Sequence, residues 1–149
     1  MYHTILVPLD GSERAEAILP HVEELAQRYS AEVIFLRVAE VPAYQMVPEH
    51  FDAALYRQQL ERVEKQAEDY LAALQGECQE KGIGAQTRVV HGPVVEAIVS
   101  AAEGEHANLV ALASHGRSGL SRVFYGSVAA GVLHRIDRPL LLIRSQGDE

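Results

Sequence analysis

A run of glycine, serine and other polar residues near the C-terminal end of the chain has the composition of an anion-binding loop. This run, residues 113–127 (ASHGRSGLSRVFYGS), follows an apolar stretch typical of a buried strand and precedes a predicted helix. The first amides of a helix point outward, and the helix dipole adds about half a positive charge there. The pair Gly126-Ser127 stands where a second set of amides would cap the same anion. The pattern predicts a site for a phosphate-bearing small molecule.

Other well-known phosphate-binding patterns are absent from the sequence. There is no GxxxxGK[ST] loop, and the turn after the first predicted strand is Asp10-Gly11-Ser12 where a dinucleotide fold has GxGxxG. A flavodoxin-like loop would need several Ser or Thr residues at that turn, and only Ser12 qualifies. A phospho-receiver domain would need an acceptor Asp after the third strand, where this chain has His91-Gly92.

Short apolar runs alternate along the chain with longer segments of helical period. The predicted strands are residues 3–8, 32–38, 85–90, 109–113 and 140–143, and the predicted helices are 12–29, 51–81, 94–106 and 127–136. Ser12 is the expected N-cap of the first helix, and Pro20 is expected to kink that helix. Leu55 and Leu71 are among the apolar residues expected on the inner face of the long second helix.

The uniformly apolar strands predict an α/β fold with helices on both sheet faces. Right-handed crossovers then favour a doubly wound, five-stranded parallel sheet in the order 3-2-1-4-5. In such a sheet the ligand lies at the carboxyl ends of the strands, where the order reverses. That point is between the first and fourth strands, so residues 8–12 and 113–119 are expected to border one site.

Composition and charge narrow the functional class. The 149 residues suffice for one domain, and the net charge of −8 without a Lys/Arg cluster disfavours nucleic-acid binding. No apolar run approaches the length of a membrane-spanning helix, and no secretory signal is visible. Cys78 is the only cysteine, so an internal disulfide is impossible. We expect a cytoplasmic protein that contacts neither membranes nor nucleic acid.

Three segments of the chain resemble the universal stress protein family. They are ILVPLDGSERAEAILP (5–20), ASHGRSGLSRVFYGSVAAGVL (113–133) and RPLLLIR (138–144). The ATP-binding branch of that family carries G-x2-G-x9-G-[ST], and here Gly116 and Gly126-Ser127 match it in register. Ala113 stands in place of the first glycine, which matters if that position needs a positive φ or direct backbone contact with the ligand.

The resemblance implies a Rossmann-like sandwich, of the adenine nucleotide alpha hydrolase type, that binds ATP or AMP, with Mg²⁺ or Mn²⁺ carried by the phosphates. The backbone of Val38 would pair with the adenine edge, and residues 113–119 would wrap the ribose and phosphates. The implied site residues are Pro8, Leu9, Asp10, Val38, Ala113, Ser114, His115, Gly116, Arg117, Gly119, Gly126, Ser127 and Val128. The segment 40–50 is placed to cover the adenine.

Several of these residues also have ordinary structural interpretations. Asp10 suits a ribose hydroxyl or a metal ion, but also a turn before a helix. Ser127 is either a phosphate donor or a plain helix N-cap, and these roles are compatible. His115 either caps the turn or donates to a phosphate. Arg117 and Arg122 either neutralise phosphates or are solvated surface side chains.

A catalytic centre is not evident in the sequence. No G-x-S-x-G elbow is present, the phosphate loop lacks lysine, and the histidines lack the spacing of a zinc site. Cys78 lies on a predicted polar helix stretch and is assigned no catalysis. The expected activity is binding, with slow ATP hydrolysis as the most that is allowed. A nucleotide-free interaction module and an enzyme acting on a phosphorylated metabolite are the alternatives.

The last predicted strand is an apolar sheet edge that favours self-association. It contains Leu140, Leu141, Leu142 and Ile143. The resemblance implies that two copies of this strand pair antiparallel across a two-fold axis. We therefore expect a homodimer that acts in the stress response as a sensor or regulator.

Overall fold

Strands and helices alternate along the chain in the predicted order. The computed structural model describes residues 1–40, 52–114 and 126–145. The strands are β1 (Thr4–Pro8), β2 (Glu32–Ala39), β3 (Ala85–His91), β4 (Leu109–Ser114) and β5 (Leu140–Arg144). The α-helices are α1 (Leu19–Tyr29), α2 (Ala53–Glu80), α3 (Val94–Gly104) and α4 (Ser127–Arg135), and a 3-10 helix (Ala15–Ile18) precedes α1.

The five strands form one parallel sheet in the order β3-β2-β1-β4-β5, which confirms the predicted topology. The central strand β1 pairs on both sides, with Leu6 opposite Ile34 of β2 and Val110 of β4. The strand order therefore reverses between β1 and β4, as expected for a doubly wound fold.

Side chains alternate along each strand, so every strand contributes to both faces of the sheet. Both faces are buried, because helices pack on each of them. Ile5, Val7 and Phe35 belong to the cluster that packs with residues of α1 and α2. Leu6 and Leu36 point the other way, into the cluster formed with residues of α3 and α4. This two-sided burial is the reason why the strands are apolar at successive positions.

The chain enters α1 differently from the prediction. The α-helix begins at Leu19, and Pro20 stands in its first turn, where a missing N–H leaves no hydrogen bond unmade. The 3-10 helix Ala15–Ile18 leads into that turn. The expected kink within a longer α-helix is therefore wrong, since proline here starts the helix.

The buried residues of α2 lie in its C-terminal half. Leu71, Leu74 and Cys78 are buried at helical spacing, whereas Leu55 is 51% exposed, so its predicted inward position is wrong. Cys78 is 2% exposed and belongs to the core, although its sequence neighbours are polar. Burial is the main reason why the pKa of its thiol is raised. In the described parts of the chain no helix is long and apolar enough to span a membrane.

The close approach of α3 and α4 depends on Gly131. A Cβ atom at this helical position would lie 2.7 Å from Cγ2 of Val95, which is tighter than packed carbon atoms allow. Val95 is β-branched, so its side chain has little rotational freedom to move away. Gly131 therefore sets the distance between two helices whose first turns border the candidate site.

We predict that Gly131→Ala lowers the free energy of unfolding by about 1–2 kcal/mol, because overpacking against Val95 outweighs the better helix propensity of alanine. Urea denaturation measures the change. Gly76→Ala is the matched control, since a Cβ atom at that helical glycine would have nothing within 4 Å, and there alanine should add roughly 0.5–1 kcal/mol. Stabilisation by both substitutions would show that α3 and α4 are less closely packed than described.

Candidate ligand site

A cavity of about 250 Å³ lies at the carboxyl ends of β1, β2 and β4. Its position is the point where the strand order reverses, which is where open α/β sheets bind ligands. Its walls come from the ends of these three strands, from the segment after β1, and from the first turns of α3 and α4. The lining residues are Pro8, Leu9, Asp10, Arg14, Ala15, Leu36, Val38, Glu40, Val94, Ile98, Leu112, Ala113, Gly126, Ser127, Val128 and Ala129.

Most of the site residues predicted from the sequence that the structure describes lie around this cavity. Those that line the cavity are Pro8, Leu9, Asp10, Val38, Ala113, Gly126, Ser127 and Val128. Ser114 is described but does not line the cavity: it is 2% exposed, and its hydroxyl donates to the carbonyl oxygen of Ile143 at 3.3 Å. The other four predicted site residues, His115, Gly116, Arg117 and Gly119, lie outside the described residues. Arg122 and residues 41–50 of the segment 40–50 also lie outside them.

Ala113 occupies an ordinary strand position. It lies within β4 opposite Ile143 of β5, and its backbone φ is not positive. One of the two conditions under which glycine would be required there is therefore not met. The methyl group of Ala113 still borders the cavity, so its effect is limited to direct contact with a ligand.

Asp10 organises the segment that follows β1. One of its carboxylate oxygens, Oδ1, accepts hydrogen bonds from the Ser12 amide at 2.9 Å and from the Ser12 hydroxyl at 2.6 Å. The Ser12 oxygen in turn accepts from the amide of Ala15 at 3.1 Å. Gly11 between them has φ of +89°, a conformation that glycine adopts without strain. The turn interpretation of Asp10 thus holds, and the same side chain also lines the cavity.

The net electrostatic surroundings of Asp10 favour its charged form. Partial burial raises the pKa of this carboxyl group, but the Ser12 hydrogen bonds and the positive charges of Arg14 and Arg37 together outweigh burial, so the pKa lies below its usual value. The second oxygen, Oδ2, lies 3.8 Å from Nη2 of Arg14. The cavity therefore has a carboxylate and a guanidinium side by side on its β1 wall.

The opposite wall is the N-terminus of α4. Gly126 is the N-cap residue with φ of +89° and ψ of 150°, a backbone region that is nearly restricted to glycine. Ser127 is the first helical residue, so the N-cap interpretation of Ser127 is wrong because Gly126 holds that position. No side chain in the described residues caps this end, and amides in a first turn have no partner within their own helix.

Leu36, Val94 and Ile98 form an apolar part of the wall that sequence reasoning missed. They come from β2 and α3, and their pattern in the sequence indicated only core positions. Arg14 and Glu40 were also missed as lining residues. In the sequence, only the closeness of Arg14 to Asp10 and of Glu40 to Val38 could have indicated that they line the site. In the described residues, no group of three His, Cys, Asp or Glu side chains is arranged to hold a metal ion.

Comparison with known proteins agrees with this architecture over the whole chain. The family model of the universal stress protein family matches residues 1–144. A universal stress protein of Thermus aquaticus is 33% identical over 149 residues, covering 97% of this chain and all of that protein. The solved structure of protein MJ0577, from Methanocaldococcus jannaschii, is 28% identical with a TM-score of 0.83 and covers 99% of each chain.

Two more distant solved structures contain a nucleotide. A universal stress protein in complex with cAMP is 23% identical, with a TM-score of 0.61, and covers 97% of this chain and 98% of its own. The universal stress protein of Archaeoglobus fulgidus in complex with dAMP is 18% identical, with a TM-score of 0.67, and covers 95% of this chain and 98% of its own. At these identities the likeness shows the shared fold.

We predict that Asp10→Asn destabilises the protein at neutral pH and that the difference from the wild type vanishes in acid. The pKa of Asp10 is lowered on folding, so its stabilising contribution is present above about pH 3.9 and is lost as the pH falls through the folded-state pKa. Urea denaturation at pH 6 and in acid well below the usual pKa of a carboxyl group measures both differences. Glu13→Gln, a similar change at an exposed neighbour, is the control. A destabilisation that is independent of pH would contradict the electrostatic assignment.

Proposed function

The chain belongs to the universal stress protein family, and from this premise we propose that it binds an adenine nucleotide, ATP or AMP, in the cavity at the carboxyl ends of β1, β2 and β4. The observation that carries this proposal is the combination of apolar and amide-bearing lining around about 250 Å³ of space. Leu36, Val94 and Ile98 form an apolar part of the lining that suits a base, and the first turn of α4 presents amides that suit phosphate. Two relatives of the same fold are in complex with adenine nucleotides.

The phosphates would lie against the start of α4. Gly126, Ser127 and Val128 line the cavity there, and the first-turn amides of an uncapped helix favour anionic oxygens. Arg14 adds a positive charge across the cavity. Asp10 would accept a hydrogen bond from a ribose hydroxyl, since its Oδ2 atom is not used by Ser12. A divalent cation, Mg²⁺ or Mn²⁺, would enter with the phosphates.

The adenine would lie beside the end of β2. Pairing of β1 with β2 ends at Pro8 opposite Leu36, and the amide of Leu9 donates to the Leu36 carbonyl at 2.9 Å. Peptide groups two residues apart on a strand point to the same side. The N–H and C=O of Val38 therefore point past the end of β1, where they suit the hydrogen-bonding edge of a base. Val94 and Ile98 supply apolar contact for its ring.

The described lining residues suit holding a nucleotide more than hydrolysing it. Asp10 and Glu40 are the carboxylates among them, and none of them is a lysine or a histidine. The Asp10 pKa is lowered, which makes this carboxylate a weak general base. We therefore assign the protein the role of a nucleotide-dependent regulator in the stress response.

We predict that calorimetry detects binding of ATP or AMP to the wild type and that Gly126→Ala weakens it at least about tenfold. Alanine at φ of +89° and ψ of 150° costs about 1–3 kcal/mol of strain, which would displace the amides of α4. Gly82→Ala is the matched control, because Gly82 also has a positive φ, +79°, but lies in the turn after α2. Failure of the wild type to bind any adenine nucleotide would refute the proposal.

We also propose that the protein is a homodimer formed through β5. This strand is the outer member of the sheet, and its leucines are only half-buried. The amide of Val110 donates to Pro139, and that of Ser145 donates to Ser114, so odd-numbered peptide groups of this strand face β4. The peptide groups of Leu140 and Leu142 consequently face outward and can pair with a second chain.

We predict that light scattering gives twice the single-chain mass of 16.4 kDa for the wild type and the single-chain mass for Leu142→Pro. Proline removes an outward N–H without removing a bond to β4. The matched control Leu142→Ala loses the same side chain but keeps the N–H, and it should remain dimeric. Circular dichroism checks that both variants are folded. A wild type that stays a single chain at high concentration would contradict the proposed interface.

A further inference from the structure

A hydrogen bond joins α2 to the segment that borders the cavity. The hydroxyl of Tyr70, in the middle of α2, donates to Oε2 of Glu16 at 2.5 Å in a partly buried position. Glu16 lies in the 3-10 helix directly after Arg14 and Ala15, both of which line the cavity. Neither Tyr70 nor Glu16 lines the cavity itself.

Arg37 connects the same tyrosine with the turn at Gly11. Its guanidinium carbon lies 5.5 Å from the centre of the Tyr70 ring, in the range of a cation–π contact. The guanidinium also occupies the place where a side chain at Gly11 would lie. The turn at Gly11 is thus packed against a charged group that is held by α2, and the positive charge of Arg37 also acts on Asp10.

The pKa of Tyr70 favours the hydrogen bond from its hydroxyl to Glu16. Burial, the hydrogen bond to Glu16 and the charge of that carboxylate raise the pKa of Tyr70. The phenol therefore keeps its proton at neutral pH and can donate to Glu16. Hydrogen bonds to a charged acceptor are roughly twice as strong as those between neutral groups.

The residues from Asp10 to Arg14 lie between β1 and the 3-10 helix, outside the regular elements, and Gly11 among them has a positive φ. Hydrogen bonds of Asp10 and Ser12 shape this segment from within, and the contacts of Glu16 and Arg37 with Tyr70 join it to α2. We propose that Glu16, Arg37 and Tyr70 are positioning residues that hold this segment, and with it Asp10 and Arg14, in the shape that the ligand requires. This inference rests on the proposed function for the identity of the ligand, and it extends the site to the buried side of α2.

The test compares Tyr70→Phe, Glu16→Gln and the double variant with the wild type. Tyr70→Phe removes only the hydroxyl and keeps the ring under Arg37, so the fold is retained. Tyr29→Phe is the matched control, because Tyr29 is 43% exposed on α1 and its ring contacts Tyr2. The measurements are amide hydrogen exchange of Ser12 and Ala15 in the ligand-free protein and the dissociation constants of ATP and AMP by calorimetry.

We expect Tyr70→Phe to speed exchange at Ser12 and Ala15 and to weaken nucleotide binding, each by about tenfold, while Tyr29→Phe changes neither. The double variant should be no weaker than Tyr70→Phe, because Glu16→Gln only weakens, by making the acceptor neutral, the hydrogen bond that Tyr70→Phe removes.

Unchanged exchange at both amides in Tyr70→Phe would overturn the inference whatever the nucleotide data show. Faster exchange with unchanged nucleotide affinity would also overturn it, since the segment would then move without consequence for the ligand. If the wild type binds no adenine nucleotide, the proposed function fails, whereas faster exchange of the Ser12 and Ala15 amides in Tyr70→Phe would still support the positioning of Asp10 and Arg14 by α2.

Discussion

Burial of both faces of the parallel sheet is the constraint on which the rest of this structure depends. Ile5 and Leu6 are neighbours in β1, yet each is fully buried, one against α1 and α2 and the other with residues of α3 and α4. Because the chain leaves β1 for one face of the sheet and leaves β4 for the other, the segments that follow these strands diverge. The cavity is the space between them.

That divergence places two chemically different walls opposite each other. The β1 side carries the carboxylate of Asp10 and the guanidinium of Arg14, while the β4 side ends in the first amides of α4. Gly126 makes the second wall possible, because its backbone conformation turns the chain into the helix without a side chain over the amides. The packing of α3 against α4 at Gly131 then fixes where this helix begins relative to Val94.

Strand positions and topology were predictable because a strand buried on both faces is apolar at every position, a signal that needs no knowledge of distant residues. The helices were less predictable. From the sequence, Pro20 predicts a kink, but the structure places it in the first turn of α1. Leu55 fits the period of an inner face, but it lies on a part of α2 that extends beyond the core. Periodicity identifies the apolar stripe of a helix but not how much of its length meets the sheet.

The sequence by itself determined the element order, the winding of the sheet and the two segments that border the cavity, because these follow from local patterns and from the right-handedness of crossovers. It also marked Gly126 and Asp10 as site residues. Only the tertiary structure decided that Val94 and Ile98 complete the cavity, and that Glu16, Arg37 and Tyr70 meet behind it. These contacts join residues more than twenty positions apart, and such residues become neighbours only when the helices pack on the sheet.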